Sequence, residues 1–144
     1  MLDIPNGRGA AWIPDSILAV QEQAILRGCR VRLIRRRAAP MRKLFYVNDR
    51  LCEVHVSTEF AEKSDRLVEF QTGNMRRAEV YARIFRANVP SHEPVHFIVQ
   101  TSVLATLFPD NPDATVYMPI AVHESLKFYH RLWLLYREAW HLLK

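Results

Sequence analysis

LFYVNDRLCEVHVST, residues Leu44–Thr58, consists of two runs of β-branched, aromatic and aliphatic side chains parted by Asn48-Asp49. Asn and Asp tolerate the positive φ angles of a tight type I′ turn, so the stretch predicts a β-hairpin. With the turn at Asn48-Asp49, Val47 faces Arg50, Tyr46 faces Leu51, Phe45 faces Cys52, Leu44 faces Glu53 and Arg42 faces His55. Side chains alternate along a strand, which places Cys52, Val54 and Val56 on one side and Leu51, Glu53, His55 and Ser57 on the other. The first side packs. The second must be wet or in use, and with Glu53 and His55 side by side it is the one face with hints of chemistry.

Upstream, Met1–Ile13 has two glycines, a proline and little periodicity, and is expected to be an irregular arm. Pro14-Asp15-Ser16 predicts a helix start, with Asp15 or Ser16 able to cap the free N–H groups. Ile17, Val20 and Ala24, with Leu18 and Ile25, are expected to form one apolar side as far as Arg27, and Gly28 supplies the stop. Cys29–Ile34 alternates as a strand with a cationic face. From Arg27 to Lys43 the chain carries eight Lys or Arg residues, out of 20 in all, and no acid. Arg30, Arg32, Arg35, Arg36, Arg37, Arg42 and Lys43 are therefore the candidate nucleic-acid-binding residues, because a run of uncompensated cations suits a phosphate backbone. The plainer reading of the same stripe is a solvated edge that blocks sheet-to-sheet aggregation.

Downstream, LVEFQ (Leu67–Gln71), VHFIVQ (Val95–Gln100) and ATVYMPI (Ala114–Ile120) read as strands, and Thr101-Ser102 as the cap of a short helix ending at Phe108-Pro109; Arg76 to Arg86 satisfies both a helix and an alternating strand, and its β-branched and aromatic content favours a strand from Ala78 to Phe85. Residues 122–144 lack Gly and Pro and carry Leu126, Tyr129, Leu132, Trp133, Tyr136, Ala139, Trp140 and Leu143 at helical spacing. They predict one long C-terminal helix whose wide apolar band packs deeply or makes a homodimer contact. His123, His130 and His141 would fall near one face of that helix, but about 10 to 16 Å apart along its axis, too far to share a metal.

The order of elements describes a single α/β domain over residues 1–144, with α+β as the neighbouring possibility: a mixed sheet flanked by helices. A chain of 144 residues buries enough core to fold without disulfides or metals. Its two cysteines, Cys29 and Cys52, are expected to be small core hydrophobes. The net charge of +5 favours a polyanionic partner, DNA or RNA. No apolar run approaches the length of a membrane span, and the N-terminus lacks the layout of a signal peptide, so the expected location is cytoplasmic with no membrane partner. No Gly-rich phosphate loop, Ser-His-Asp order or paired-cysteine motif points to small-molecule chemistry.

The helix from Ser16 to Arg27, the hairpin, and CEVHVS followed by LVEFQ, AEVYARIF, VHFIVQ with SVLATLF, and TVYMPI resemble the restriction-endonuclease-like, or PD-(D/E)XK, superfamily over about residues 15 to 120. CEVHVS stands where a member shows a sequence like EVKVS. The resemblance implies a Mg²⁺-dependent endonuclease, with Glu53 as a metal-binding acid and His55 in the place of the water-activating Lys. It also implies a second acid, yet Leu44 and Arg42 face Glu53 and His55 across the hairpin, and Arg42 would compete with the metal for the carboxylate. Glu22 or Glu69 would have to take that place. The expectation is a nucleic-acid-binding domain whose phosphodiester cleavage is weak or lost. The alternative is a protein-interaction or dimerisation module anchored by Trp133, Tyr136 and Trp140 of the C-terminal helix.

Overall fold

The computed structural model describes residues 8–34, 43–72, 79–110, 114–121 and 126–144, with the backbone alone for 8–14. The chain runs α1 (Arg8–Leu26), β1 (Val31–Leu33), β2 (Leu44–Val47), β3 (Arg50–Ser57), β4 (Leu67–Gln71), β5 (Ala82–Ala87), β6 (Val95–Gln100), α2 (Thr101–Leu107), β7 (Thr115–Pro119) and α3 (Phe128–Arg131). Two 3₁₀ turns, Leu132–Tyr136 and Trp140–Leu143, follow. This is the expected α/β class: a mixed five-stranded sheet of order β1-β2-β3-β5-β6, with β4 and β7 paired separately.

The hairpin forms as its sequence dictates. Asn48 and Asp49 take φ of 51° and 65°, and the register pairs Leu44 with Glu53, Phe45 with Cys52, Tyr46 with Leu51 and Val47 with Arg50. Beyond β3 the sheet continues in parallel, with Glu53 beside Arg83 and His55 beside Phe85, then antiparallel into β6. The alternation sorts two cores. Phe45, Val47, Cys52, Val54, Ala82, Ile84 and Ile98 meet Ile17, Val20 and Ala24 of α1, together with Trp140 and Leu143. On the opposite face Phe85, Ala87, Phe97 and Val99 meet Val68 and Phe70 of β4, Val116 and Met118 of β7, Leu104 and Trp133. Cys29 and Cys52 are free and buried, as small hydrophobes should be. Among the described residues no helix is long and apolar enough to cross a membrane.

α1 ends at a Schellman cap. Gly28, at φ 84°, donates to the Ile25 carbonyl at 2.9 Å and Cys29 donates to the Ala24 carbonyl at 2.9 Å. The helix starts at Arg8, ahead of the expected Asp15 or Ser16 cap, so the irregular arm does not extend through residue 13. The strand expected at 78–85 is shifted to Ala82–Ala87, because its register is set by parallel pairing with β3, a non-local constraint.

The largest correction concerns the C-terminal helix expected over 122–144. Among the described residues only Phe128–Arg131 is α-helical. Arg137 instead forms an isolated antiparallel bridge with Phe97, and Glu138 turns left-handed at φ 49°. The segment thereby rounds the exposed edge of β6, passing from Trp133 in one core to Trp140 in the other. Edge hydrogen bonding and two buried indoles outweigh helix propensity, which is a weak preference. Trp133 and Trp140 are 4% and 2% exposed, so they lie in the two cores and not on an exposed helix face.

Candidate functional site

Glu53 and His55 project from β3 on the face away from α1, where the parallel neighbour β5 sets Arg83 beside them. The Glu53 Oε1 atom accepts from Arg83 Nε at 3.0 Å and lies 3.0 Å from His55 Nε2. Arg83 is fully buried and reaches on through Nη1 to donate to Thr101 Oγ1 at 2.8 Å, at the first residue of α2. His55 Nδ1 lies 3.1 Å from the Gln71 carbonyl, and its ring stacks on Phe85 with centroids 5.1 Å apart. Both ring nitrogens thus face oxygen acceptors: a neutral ring donates to one of them, an imidazolium to both.

Burial pushes the Glu53 carboxyl up, but the hydrogen bond and charge of His55, followed by the charge and hydrogen bond of Arg83, outweigh it and hold the group below its ordinary range. The carboxylate is ionised and compensated by these neighbours. That arrangement does not fit a Mg²⁺ centre, which needs several oxygen ligands around one point. Across the hairpin Glu53 meets Leu44. Glu22 sits on α1, whose apolar residues pack on the opposite face of the sheet, and Glu69 accepts from the Gln71 side chain at 3.3 Å. Among the described residues no three His, Cys, Asp or Glu side chains gather to hold a metal.

Of the cationic stripe, Arg30 pairs with Asp49 at 3.3 Å, both largely exposed, a contact of little energetic weight. Arg32 lies over the Tyr46 ring at 4.0 Å from its centroid, and the register puts the pair on the Glu53 face, with Tyr46 opposite Leu51. Lys43 is half-buried beside the start of β2. Arg35, Arg36, Arg37 and Arg42 lie outside the described residues, and so does His123.

A second polar cluster, which sequence reasoning missed, lies on the α1 face at the other end of β5. Arg86 Nη1 donates to His96 Nε2 at 2.9 Å; since a guanidinium only donates, the proton of His96 sits on Nδ1, which lies 3.2 Å from Glu138 Oε2. Glu138 also accepts from the His96 backbone N–H at 2.8 Å and from Trp140 Nε1 at 2.9 Å. Burial raises its carboxyl, yet these hydrogen bonds bring it down to about 2. Arg86 Nε is buried with no hydrogen-bond partner among the described residues, and burial lowers the pKa of the guanidinium. The signal in the sequence was ARIFRA itself: two arginines three apart in an otherwise apolar strand fall on opposite faces, and each needs a partner.

Comparison of the chain with protein-family models, curated proteins and solved structures returns no match.

Proposed function

We propose that the chain is a nucleic-acid-binding domain of restriction-endonuclease-like type in which metal-dependent phosphodiester cleavage is weak or lost. The observation that carries this reading is the make-up of one sheet face. At its outer end Arg32 is exposed, with its guanidinium carbon 4.0 Å from the centre of the Tyr46 ring, an arrangement that presents a cation and an aromatic ring to a phosphate backbone. At its inner end the one carboxylate expected to hold Mg²⁺ is compensated by Arg83 and His55. Such a face attracts polyanions and has no demand for a divalent cation. The net charge of +5 acts in the same direction.

Binding follows counterion release: the logarithm of affinity for labelled DNA or RNA falls linearly with the logarithm of salt between about 50 and 200 mM. Arg32→Ala lowers that slope by about 1 and weakens binding to all sequences alike. A chain that binds neither DNA nor RNA at low salt, or whose slope ignores Arg32, refutes the proposal.

A further inference from the structure

Between the end of α2, the outer face of β7 and α3 with the 3₁₀ turn behind it lies a cleft of about 270 Å³, lined by Phe108, Thr115, Tyr117, Tyr129, His130 and Trp133 among others. Pockets that enclose whole drug-sized ligands run from roughly 300 to 1,000 Å³, so this one suits a single ring system. Its aromatic walls meet one another edge-on: Tyr129 and His130 have centroids 4.5 Å apart at 68°, Tyr117 and His130 6.4 Å apart at 69°. Edge-on packing leaves ring faces for a flat guest to cover. Tyr117 and Tyr129 are 37% and 56% exposed, which leaves ring surface open to a guest beyond their edge contacts with His130.

The polar groups narrow the guest further. The ring nitrogens of His130 have no hydrogen-bond partner among the described residues, and burial together with the nearby Lys127 charge holds the imidazole below its ordinary pKa. Neutral at pH 7, it offers one donor and one acceptor, the combination that a heteroaromatic base presents along its edge. Thr115 Oγ1 donates to Gln71 Oε1 at 3.2 Å. Lys127, with Nζ 5.9 Å from the centre of the Tyr129 ring, and exposed Arg131 supply positive charge next to the cleft. Glu69 pairs across from Tyr117 on the outer face of the small sheet and accepts from Gln71, one negative charge against the two positive ones. A cationic guest is disfavoured by Lys127 and Arg131, and an anionic group tethered to a ring is favoured.

We infer that the cleft is a base-binding subsite, which takes one unpaired base of a single-stranded nucleic acid against Tyr129 with its polar edge at His130 and an adjoining phosphate near Lys127. The inference rests on the nucleic-acid reading above and adds to it a preference for unpaired strands.

The test compares a labelled oligothymidylate with a strand of equal length made of abasic residues, against the full chain as wild type, Tyr129→Ala and Tyr129→Phe. Tyr129 is exposed, so the fold survives its replacement. The wild type binds the base-bearing strand more tightly than the abasic one. Tyr129→Ala weakens the base-bearing strand by roughly 5- to 150-fold, the range of one stacked base, and leaves abasic binding unchanged; Tyr129→Phe retains the preference. Equal affinity for the two strands in the wild type, or equal loss for both in Tyr129→Ala, overturns the subsite while the nucleic-acid reading stands. Failure to bind either strand defeats the nucleic-acid reading and the subsite with it. A thymidine monophosphate that competes as tightly as the strand overturns the assignment to a strand and makes a free nucleotide the occupant.

Discussion

Arg83 and Arg86 lie three residues apart on the same strand, and each joins a glutamate and a histidine on its own side of the sheet, with Arg27 also 3.6 Å from the glutamate at Arg86. The wiring differs. At Arg83 the guanidinium bonds the carboxylate directly, and the histidine sits on the same oxygen. At Arg86 the histidine stands between arginine and glutamate and passes the interaction on through its two ring nitrogens. A buried cation in direct contact with an anion recovers much of its lost hydration, whereas one held a residue away does not. Hence Arg86 is weakened as a cation by burial, and its Nε has no partner among the described residues. The Glu53 cluster ties β3, β5 and α2 together; the Glu138 cluster fastens the C-terminal segment to the edge of β6.

Four outcomes test that contrast. Glu53→Leu has the largest effect: it strips a fully buried guanidinium of its carboxylate and lowers stability by about 3 to 5 kcal/mol in urea unfolding, while the double variant Glu53→Leu/Arg83→Met recovers most of the loss. A single variant as stable as wild type would show that the pair carries no structural weight.

The Glu138 carboxyl titrates at about 2 in the fold against 4.5 for the free group. Since the folded value is the lower one, its stabilisation is fully present above about pH 4.5 and is lost as pH falls from there through about 2, and it amounts to roughly 3 kcal/mol at neutral pH. Glu53, also lowered, acts in the same direction. Unfolding midpoints followed from pH 7 into acid should fall through this window, and Glu138→Gln should flatten the fall.

Arg86→Met is the milder counterpart of Glu53→Leu. It deprives His96 Nε2 of a donor but also removes a desolvated charge with no direct anion, for a net cost of about 1 kcal/mol or less. A loss as large as that of Glu53→Leu would erase the distinction between the clusters. The smallest effect is at Cys52, whose thiol burial pushes up to about 12. It stays protonated and inert to a thiol reagent at pH 8 in the native protein and reacts only once the chain is unfolded.

Local chemistry accounts for the parts of this molecule that its sequence made legible. The hairpin register followed from two turn residues and strict alternation, and the faces of β3 from the same period of two. Gly28 marked the end of α1 because a left-handed cap needs it. What stayed hidden was set by distant partners. Arg83 meets Glu53 only because β5 runs parallel to β3 in one particular register, thirty residues on. The helical spacing from Tyr129 to Leu143 was genuine, but Arg137 and Glu138 gain more from the open edge of β6 than from continuing a helix. The residue that stands beside Glu53 on the neighbouring strand is an arginine, Arg83, which no local pattern around Glu53 could announce.

The central claim is that Glu53 belongs to a compensated structural cluster with Arg83 and His55 and is not a metal ligand. Calorimetric titration of Mg²⁺ into wild type and Glu53→Gln tests it most directly. The account predicts no saturable heat in either protein. A one-site isotherm in the wild type that disappears in Glu53→Gln would contradict it and restore Glu53 as a metal ligand.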